Sequence, residues 1–221
     1  MTEARAREEI CRVGRSLFER GYVHATAGNI SVRLPGGGHV ITPTDACLGF
    51  LDPARLARLD ADGRQLDGDP ASKSMRLHTE IYAAARTFDP GTSCVIHTHS
   101  THCVALTLRA CGDELLPALT PYFVMKVGHV PVVAYHRPGA PDAAARVSEL
   151  IRRYGDAGTP IRAVMLARLG PNVWHDAPAQ AMAVLEELEE TARLVQLCSA
   201  APAALDAAQI DELRRAFGAR W

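Results

Sequence analysis

The sequence lacks an excess of charge of either sign and any long hydrophobic run. Its 24 Lys and Arg residues nearly balance 25 Asp and Glu residues, for a formal net charge of −1. The overall charge therefore gives no argument for binding nucleic acid or an anionic membrane. No apolar stretch approaches the roughly 18 residues typical of a membrane-spanning helix. The first residues run directly into a charged helical pattern without the apolar segment of a signal peptide. We therefore expect a cytoplasmic protein without membrane or nucleic-acid partners.

Cysteine is present but never in the CxxC spacing of many zinc and redox sites. The six cysteines lie at positions 11, 47, 94, 103, 111 and 198, which predicts reduced thiols, most of them packed as small apolar residues. Internal repeats, low-complexity segments and an interdomain linker are also missing. With 221 residues and 48% hydrophobic content, the chain can bury a full core. We expect one domain over residues 1–221, with 199–221 as a C-terminal helical extension.

Helical and strand patterns alternate along the chain. Helices are predicted over 3–20, 73–88, 101–110, 177–198 and 205–218, and strands around 28–34, 39–42, 93–97, 130–133 and 163–166. Ser72 is the predicted N-cap of the second helix, and the acidic run 186–190 is interpreted as a solvated face. The alternation indicates a layered α/β or α+β domain around a buried sheet.

The most informative motif is His97-Thr98-His99, which follows the apolar run Ser93-Cys94-Val95-Ile96. On a strand, residues two positions apart point to the same face, about 6–7 Å apart at the backbone. Both imidazoles could then reach one divalent cation. The alternative is a pair of histidines on a polar sheet face, because a first-row metal site usually has a third protein ligand.

Several segments, taken in order, resemble the class II aldolase/adducin family over roughly residues 8–198. They are Ala27-Gly28-Asn29-Ile30-Ser31-Val32-Arg33, Ile41-Thr42-Pro43-Thr44, Leu77-His78-Thr79-Glu80-Ile81-Tyr82, Val95-Ile96-His97-Thr98-His99-Ser100 and Val164-Met165-Leu166-Ala167. Within that family, Ser72-Lys73, Thr120-Pro121-Tyr122 and Tyr135-His136-Arg137-Pro138-Gly139 are most similar to the 3-oxo-tetronate 4-phosphate decarboxylases.

The resemblance implies a three-layer α/β/α fold around a central, largely antiparallel sheet, and usually a homotetramer with active sites between subunits. It also implies chemistry through a metal-stabilised enediolate, in which a Lewis-acidic cation lowers the energy of a developing carbanion. The implied cofactor is a divalent metal ion held by His97 and His99. Zinc is the first candidate, and Mn, Fe, Co and Ni are alternatives.

Two positions depart from the family pattern at the metal and at the proton-transfer residue. The third metal histidine corresponds to Leu169, which has no lone pair to offer. Four histidine or aspartate residues are candidate replacements, each of them otherwise an ordinary surface or core residue: His24, Asp45, His129 and His175. The family's catalytic glutamate corresponds to Ser74, whose hydroxyl cannot exchange protons near neutral pH without an activating base.

Lys73 matches a lysine of the decarboxylase group. It could act as an acid, bind a carboxylate or phosphate as a point charge, or be a plain surface lysine. Tyr122 matches a family tyrosine that acts on the substrate across a subunit boundary, or it is a packed aromatic residue after Pro121.

A third departure is Asp45, which stands where phosphate-binding members have glycine. A carboxylate there repels a phosphate dianion, although Asp45 could equally be a turn residue. Polar side chains nearby still offer suitable hydrogen-bond donors. We assign Asn29, Thr44, Asp45, Ser72 and Ser74 to substrate binding, and Lys73 and Tyr122 to catalysis.

The favoured function is a metal-dependent lyase that decarboxylates a β-keto acid or sugar-acid derivative. Loss of carbon dioxide generates the enolate without removal of a proton, so this reaction tolerates Ser74. The substrate would be a carboxylated or polyhydroxylated small molecule, with or without a phosphate. Two alternatives are an inactive family member that serves as a binding scaffold and a sugar-phosphate aldolase.

Overall fold

The computed structural model describes residues 1–109 and 112–221. The end of the predicted helix 101–110 and the predicted thiol of Cys111 lie outside the described residues. The described helices are α1 (Glu3–Glu19), α2 (Met75–Ala85), α3 (Thr101–Thr107), α4 (Pro141–Asp156), α5 (Pro178–Leu197) and α6 (Ala207–Phe217). The described strands are β1 (Asn29–Arg33), β2 (His39–Ile41), β3 (Ala57–Leu59), β4 (Gln65–Asp67), β5 (Cys94–His97), β6 (Val132–Val133), β7 (Ala163–Leu166) and β8 (Gly170–His175).

The strands form one mixed sheet in the order β4-β3-β2-β1-β5-β8-β7-β6. Neighbouring strands run antiparallel, except that β6 and β7 are parallel. The turn sequences Pro35-Gly36-Gly37-Gly38 and Asp60-Ala61-Asp62-Gly63 predict that each joins two short strands. Both hairpins, β1–β2 and β3–β4, are confirmed. Central strands β1, β5 and β8 are buried almost throughout, because helices cover both faces of the sheet.

Side-chain alternation along the strands divides the core into two layers. On one face, Ile96 packs with Ile10 of α1 and Leu185 of α5. On the other face, Val95 packs with apolar residues of α2 and α4, including Ile81. This arrangement of helix, sheet and helix is the predicted three-layer architecture.

A polar row crosses the second face where the central strands end. His97 of β5 pairs with Asn29 of β1 and with Asn172 of β8. Paired residues on neighbouring strands point to the same face. The sheet therefore places two amides beside one imidazole at the edge of the apolar layer beneath α2 and α4.

Several sequence predictions are wrong in detail. Helix α2 begins at Met75 with Ser74 as its N-cap. Ser72 instead forms the preceding turn, because its carbonyl accepts a hydrogen bond from Met75 N at 3.0 Å. Strand β5 ends at His97, so His99 lies beyond it. The predicted strand 130–133 is confined to β6, at 132–133.

The acidic run of α5 is not uniformly solvated. Glu189 is only 7% exposed. Its carboxylate accepts hydrogen bonds from the backbone amides of His102 and Cys103, at 2.8 and 2.9 Å. These amides lie in the first turn of α3, where a helix has no internal acceptors for them. Glu189 therefore links α5 to the helix that follows the histidine motif.

The five described cysteines are free thiols. Cys94 and Cys103 are buried, Cys11 and Cys47 are half-buried, and Cys198 is exposed. Across residues 1–109 and 112–221, no helix combines the length and apolar character that crossing a membrane requires.

Candidate active site

One cavity of about 460 Å³ opens at the polar end of the sheet. It brings together eight of the nine site residues predicted from the sequence. They are Asn29, Thr44, Asp45, Ser72, Lys73, Ser74, His97 and His99. Tyr122 is the exception. The remaining walls come from the segment that precedes α4 and from the turn between β7 and β8.

His97 and His99 face each other with ring centroids 5.1 Å apart. His97 Nδ1 lies 2.9 Å from the carbonyl oxygen of Pro171. A carbonyl can only accept, so Nδ1 carries the proton and Nε2 keeps its lone pair. Burial, with a contribution from His99, lowers the pKa of His97 to about 4. The imidazole is therefore neutral near pH 7, the state that binds metal ions.

The pKa of His99 is also lowered, by burial and by the nearby His24. The pair thus offers nitrogen lone pairs, supported on the His97 side by a backbone carbonyl in the manner of metal-binding histidines.

Leu169 is the residue that corresponds, by the family resemblance, to the third metal histidine. It lies in the turn between β7 and β8 and lines the cavity with both histidines. Gly170 brings the turn close, since a Cβ atom there would lie 1.9 Å from the carbonyl oxygen of Thr98. A hydrocarbon side chain therefore lines the cavity at the position that the family resemblance assigns to a third donor.

The candidate replacements do not complete the shell. His129 pairs with Glu114, and His175 lies at the far end of β8, paired with Asp176. Asp45 lines the cavity, and His24 is exposed near His99. Among residues 1–109 and 112–221, no group of three His, Cys, Asp or Glu side chains is arranged to hold a metal ion. The donors fit a two-histidine site and not the three-ligand site usual for catalytic zinc.

Ser74 occupies the place of the proton-transfer carboxylate. Its Oγ accepts a hydrogen bond from Asn29 Nδ2 at 3.1 Å, so the hydroxyl proton is free to be donated to a ligand. Asn29 is 7% exposed, and its Oδ1 has no hydrogen-bond partner among the described residues. The two side chains therefore present one donor and one acceptor.

The loop at 43–45 forms another wall. Thr44 Oγ1 donates to the carbonyl oxygen of Ala71 at 3.0 Å, and its backbone amide donates to Pro70. Asp45 has a φ of 56°, a left-handed conformation that aspartate tolerates better than most residues. Asp45 is thus both a turn residue and a cavity-lining carboxylate.

Tyr122 does not reach this cavity within one chain. Its side chain is 62% exposed, so the interpretation of Tyr122 as a packed aromatic residue is wrong. It immediately precedes a π-helical turn at Phe123–Val127, and π-turns are frequent at functional sites.

Among the basic residues that line the cavity, sequence reasoning missed Arg76, His136 and Arg137. His136 and Arg137 belong to a segment that carried part of the family resemblance, but neither was assigned a role. It also missed Asn172, which is fully buried beside His97 with both amide atoms unpartnered among the described residues. An isolated polar residue in an apolar strand is the signal that could have identified it.

A buried network holds α2 against the sheet behind the site. Ser31 Oγ lies 2.8 Å from His78 Nδ1 and 2.9 Å from the hydroxyl of Tyr82. Burial, with smaller contributions from the histidines nearby, lowers the pKa of His78 to about 3. The network is therefore uncharged near pH 7 and positions the first turn of α2, which carries Lys73 and Ser74 just before it.

Comparison with known proteins agrees with this architecture. A model of the Class II Aldolase and Adducin N-terminal domain matches residues 8–196. A 3-oxo-tetronate 4-phosphate decarboxylase from Cupriavidus necator is 51% identical, over 100% of this chain and 99% of that protein. A protein of the same name from Escherichia coli K12 is 40% identical over 96% of each chain.

A solved structure gives the same result for the fold. The crystal structure of YgbL from Escherichia coli has a TM-score of 0.86 and 39% identity, and the match covers 96% of this chain and 99% of that chain. The predicted three-layer fold is confirmed. From the family match and these relatives together, the chain belongs to the class II aldolase and adducin family.

Proposed function

We propose that this protein is a lyase that decarboxylates a phosphorylated 3-oxo sugar acid. The observation that carries the proposal is the composition of the cavity. It holds the neutral pair His97 and His99 and the cation Lys73, but Asp45 is its single carboxylate among the described lining residues. Such a cavity suits a reaction that needs stabilisation of an enolate and no carboxylate base to remove a proton.

The relatives support the substrate class. Two of them, at 51% and 40% identity, are named 3-oxo-tetronate 4-phosphate decarboxylases. We infer the same class of substrate here, a four-carbon acid with a ketone beta to the carboxylate and a phosphate at the other end.

The chain's own residues suggest how the reaction proceeds. Lys73 binds and orients the departing carboxylate as a point charge. The bond between the carboxylate carbon and C2 breaks, and its electron pair moves toward the ketone oxygen as carbon dioxide leaves. Ser74 Oγ can donate a hydrogen bond to a substrate oxygen, and such a donor stabilises developing negative charge, while Asn29 Oδ1, which has no partner among the described residues, can accept one from a substrate hydroxyl. A proton then adds to C2 to give the product ketone.

We further propose that Tyr122 of a neighbouring subunit supplies that proton or a hydrogen bond, in a homotetramer. Its 62% exposure leaves the hydroxyl free to reach a second chain. Ser72 would bind a substrate oxygen, and Thr44 Oγ1, whose proton is donated to Ala71, would accept a hydrogen bond from a substrate hydroxyl. We expect the protein to act in the cytoplasm, where its thiols stay reduced.

Members of this family generally use a divalent metal ion. His97 and His99 would hold it here, with zinc as the first candidate. When bound, it would supply Lewis-acid stabilisation of the enolate. Because Leu169 adds no third ligand, we expect weak binding.

A second candidate function is a non-catalytic binding protein. Leu169 and Ser74 favour it, since the chain has lost both a metal ligand and the usual acid–base residue. The aldolase alternative is disfavoured by the same Ser74, because the hydroxyl is a poor proton acceptor.

The test is release of carbon dioxide from 3-oxo-tetronate 4-phosphate, with and without added zinc or manganese. Lys73→Met should reduce kcat/KM by about 100-fold or more, since a positioned charge contributes several kcal/mol to binding and orientation. Arg152→Gln, an exposed change on α4, is the matched control and should be neutral. No release by the wild type under any metal condition would refute the proposal and favour the binding protein.

A further inference from the structure

The cavity contains more positive charge than its own residues neutralise. Lys73, Arg76 and Arg137 all line it, against the single carboxylate of Asp45. Among the described residues, none of the three cations forms an ion pair or a side-chain hydrogen bond. By contrast, Arg146, further along α4, pairs with Glu149 at 2.6 Å. Counting these four side chains, the lining carries a surplus of two positive charges.

The two arginines come from the starts of neighbouring helices. Arg76 is in the first turn of α2, and Arg137 lies in the segment directly before α4. Neither helix has a side-chain hydrogen bond at its N-cap. The dipoles of these two helices, whose N-termini have no side-chain cap, add to the preference for an anion here.

The loop at 43–45 contributes charge of the opposite sign to the cavity. Asp45 brings a negative charge to it, and a phosphate dianion beside an unpaired carboxylate is repelled. Asp45 and the two arginines line the same cavity with opposite charge, and the arginines are the better partners for the more highly charged group. Asn29 supports a ligand in the same cavity, because its buried Oδ1 needs a hydroxyl donor.

We propose that Arg76 and Arg137 form the subsite for the substrate's phosphate, while Lys73 binds its carboxylate. Arginine matches phosphate with paired N–H donors, whereas lysine acts as a single point charge. The cavity then selects acids with two anionic groups. This inference rests on the proposed function for its substrate, but the subsite can be tested by binding alone.

Three probes separate the two charges: 3-phosphoglycerate carries both groups, glycerol 3-phosphate only the phosphate, and glycerate only the carboxylate. Binding would be measured by calorimetry on the full-length protein. Arg76→Gln and Arg137→Gln should each weaken both phosphorylated probes by about 10-fold, the effect of losing a charged hydrogen bond, and change glycerate by less than 2-fold. Lys73→Met should weaken glycerate and 3-phosphoglycerate and spare glycerol 3-phosphate.

Two further variants sharpen the test. Arg146→Gln, which removes an exposed arginine outside the cavity, should leave all three affinities unchanged. Asp45→Asn should strengthen glycerol 3-phosphate by less than about 3-fold if the phosphate lies at the arginines. A larger gain would place the phosphate at the 43–45 loop and overturn the inference.

Other outcomes are equally decisive. The inference is overturned if the wild type fails to bind glycerol 3-phosphate, or if the double variant of Arg76 and Arg137 binds it as well as the wild type does. It is also overturned if that double variant loses glycerate instead. Binding as expected without release of carbon dioxide from the 3-oxo acid would refute the proposed reaction and leave the subsite intact.

Discussion

Restoring an imidazole at position 169 should convert a weak metal site into a tight one. Leu169 already lines the cavity with His97 and His99, and the turn that carries it is held close to them by Gly170. We therefore expect a histidine at this position to approach the pair. The change Leu169→His would give the three protein ligands typical of catalytic zinc.

The magnitude follows from the chemistry of metal shells. Residues that merely orient a metal ligand contribute about 10–100-fold to affinity, so a ligand itself should contribute about 100-fold or more. Leu169 is half-buried and packs against the core beneath α2 and α4. Removing it should cost about 1 kcal/mol of unfolding free energy without metal. Zinc at a thousand times its Kd should then add about 4 kcal/mol.

The measurement is zinc affinity by competition with a chromophoric chelator, together with thermal unfolding with and without zinc. Leu169→Phe is the control, because it adds a ring without a lone pair. Zinc should stabilise the Leu169→His protein and not the Leu169→Phe protein. The reasoning is refuted if the histidine variant binds zinc no more tightly than the wild type, since that would mean that position 169 does not face the pair.

Three further predictions concern stability. Glu189→Gln should lower the unfolding free energy by about 2 kcal/mol, because the carboxylate accepts two amides of α3 through charged hydrogen bonds; a change below 0.5 kcal/mol in denaturant unfolding would contradict this. Asn172→Val should raise the unfolding free energy by about 1–2 kcal/mol, because the substitution removes a buried amide that has no partner among the described residues. A decrease would instead reveal a bound water or ligand. Burial, reinforced by nearby Arg33 and Arg58, lowers the pKa of His39 to about 4 from 6.5. The unfolded chain therefore binds the proton more readily, so the stability that His39 contributes is present above pH 6.5 and is lost as pH falls toward 4. After allowance for partial exposure the loss is about 1–2 kcal/mol, and the unfolding profile of His39→Gln should be flatter than the wild type's over that range.

Local sequence patterns were sufficient to predict much of the fold. Turn residues predicted the β1–β2 and β3–β4 hairpins, and apolar periodicity predicted α1, whose Ile10, Val13 and Leu17 are fully buried. These features depend on residues close in the chain, so their signals are contained in short windows. The same windows misjudged Glu189, because its partners lie almost ninety residues away at the start of α3.

The candidate site, too, was predictable from the sequence only in part. Its list of residues came from motifs, and the structure collects eight of them around one cavity. Arg76 and Arg137 were not assigned to it, because a basic residue at the start of a helix is most often solvated. Only the packing of α2 beside α4 turns two such residues toward one space.

By itself, the sequence determined the chemical inventory of this protein: two histidines, one lysine and a serine in place of the carboxylate, within a recognisable family frame. The tertiary structure decided which of these act together. It aligned Asn29, His97 and Asn172 in one row of the sheet, and it brought Leu169 and the unpaired cations to the cavity that holds the histidines. The physical reason is that hydrogen-bond pairing between distant strands and the packing of helices set these distances, and no short stretch of sequence encodes them.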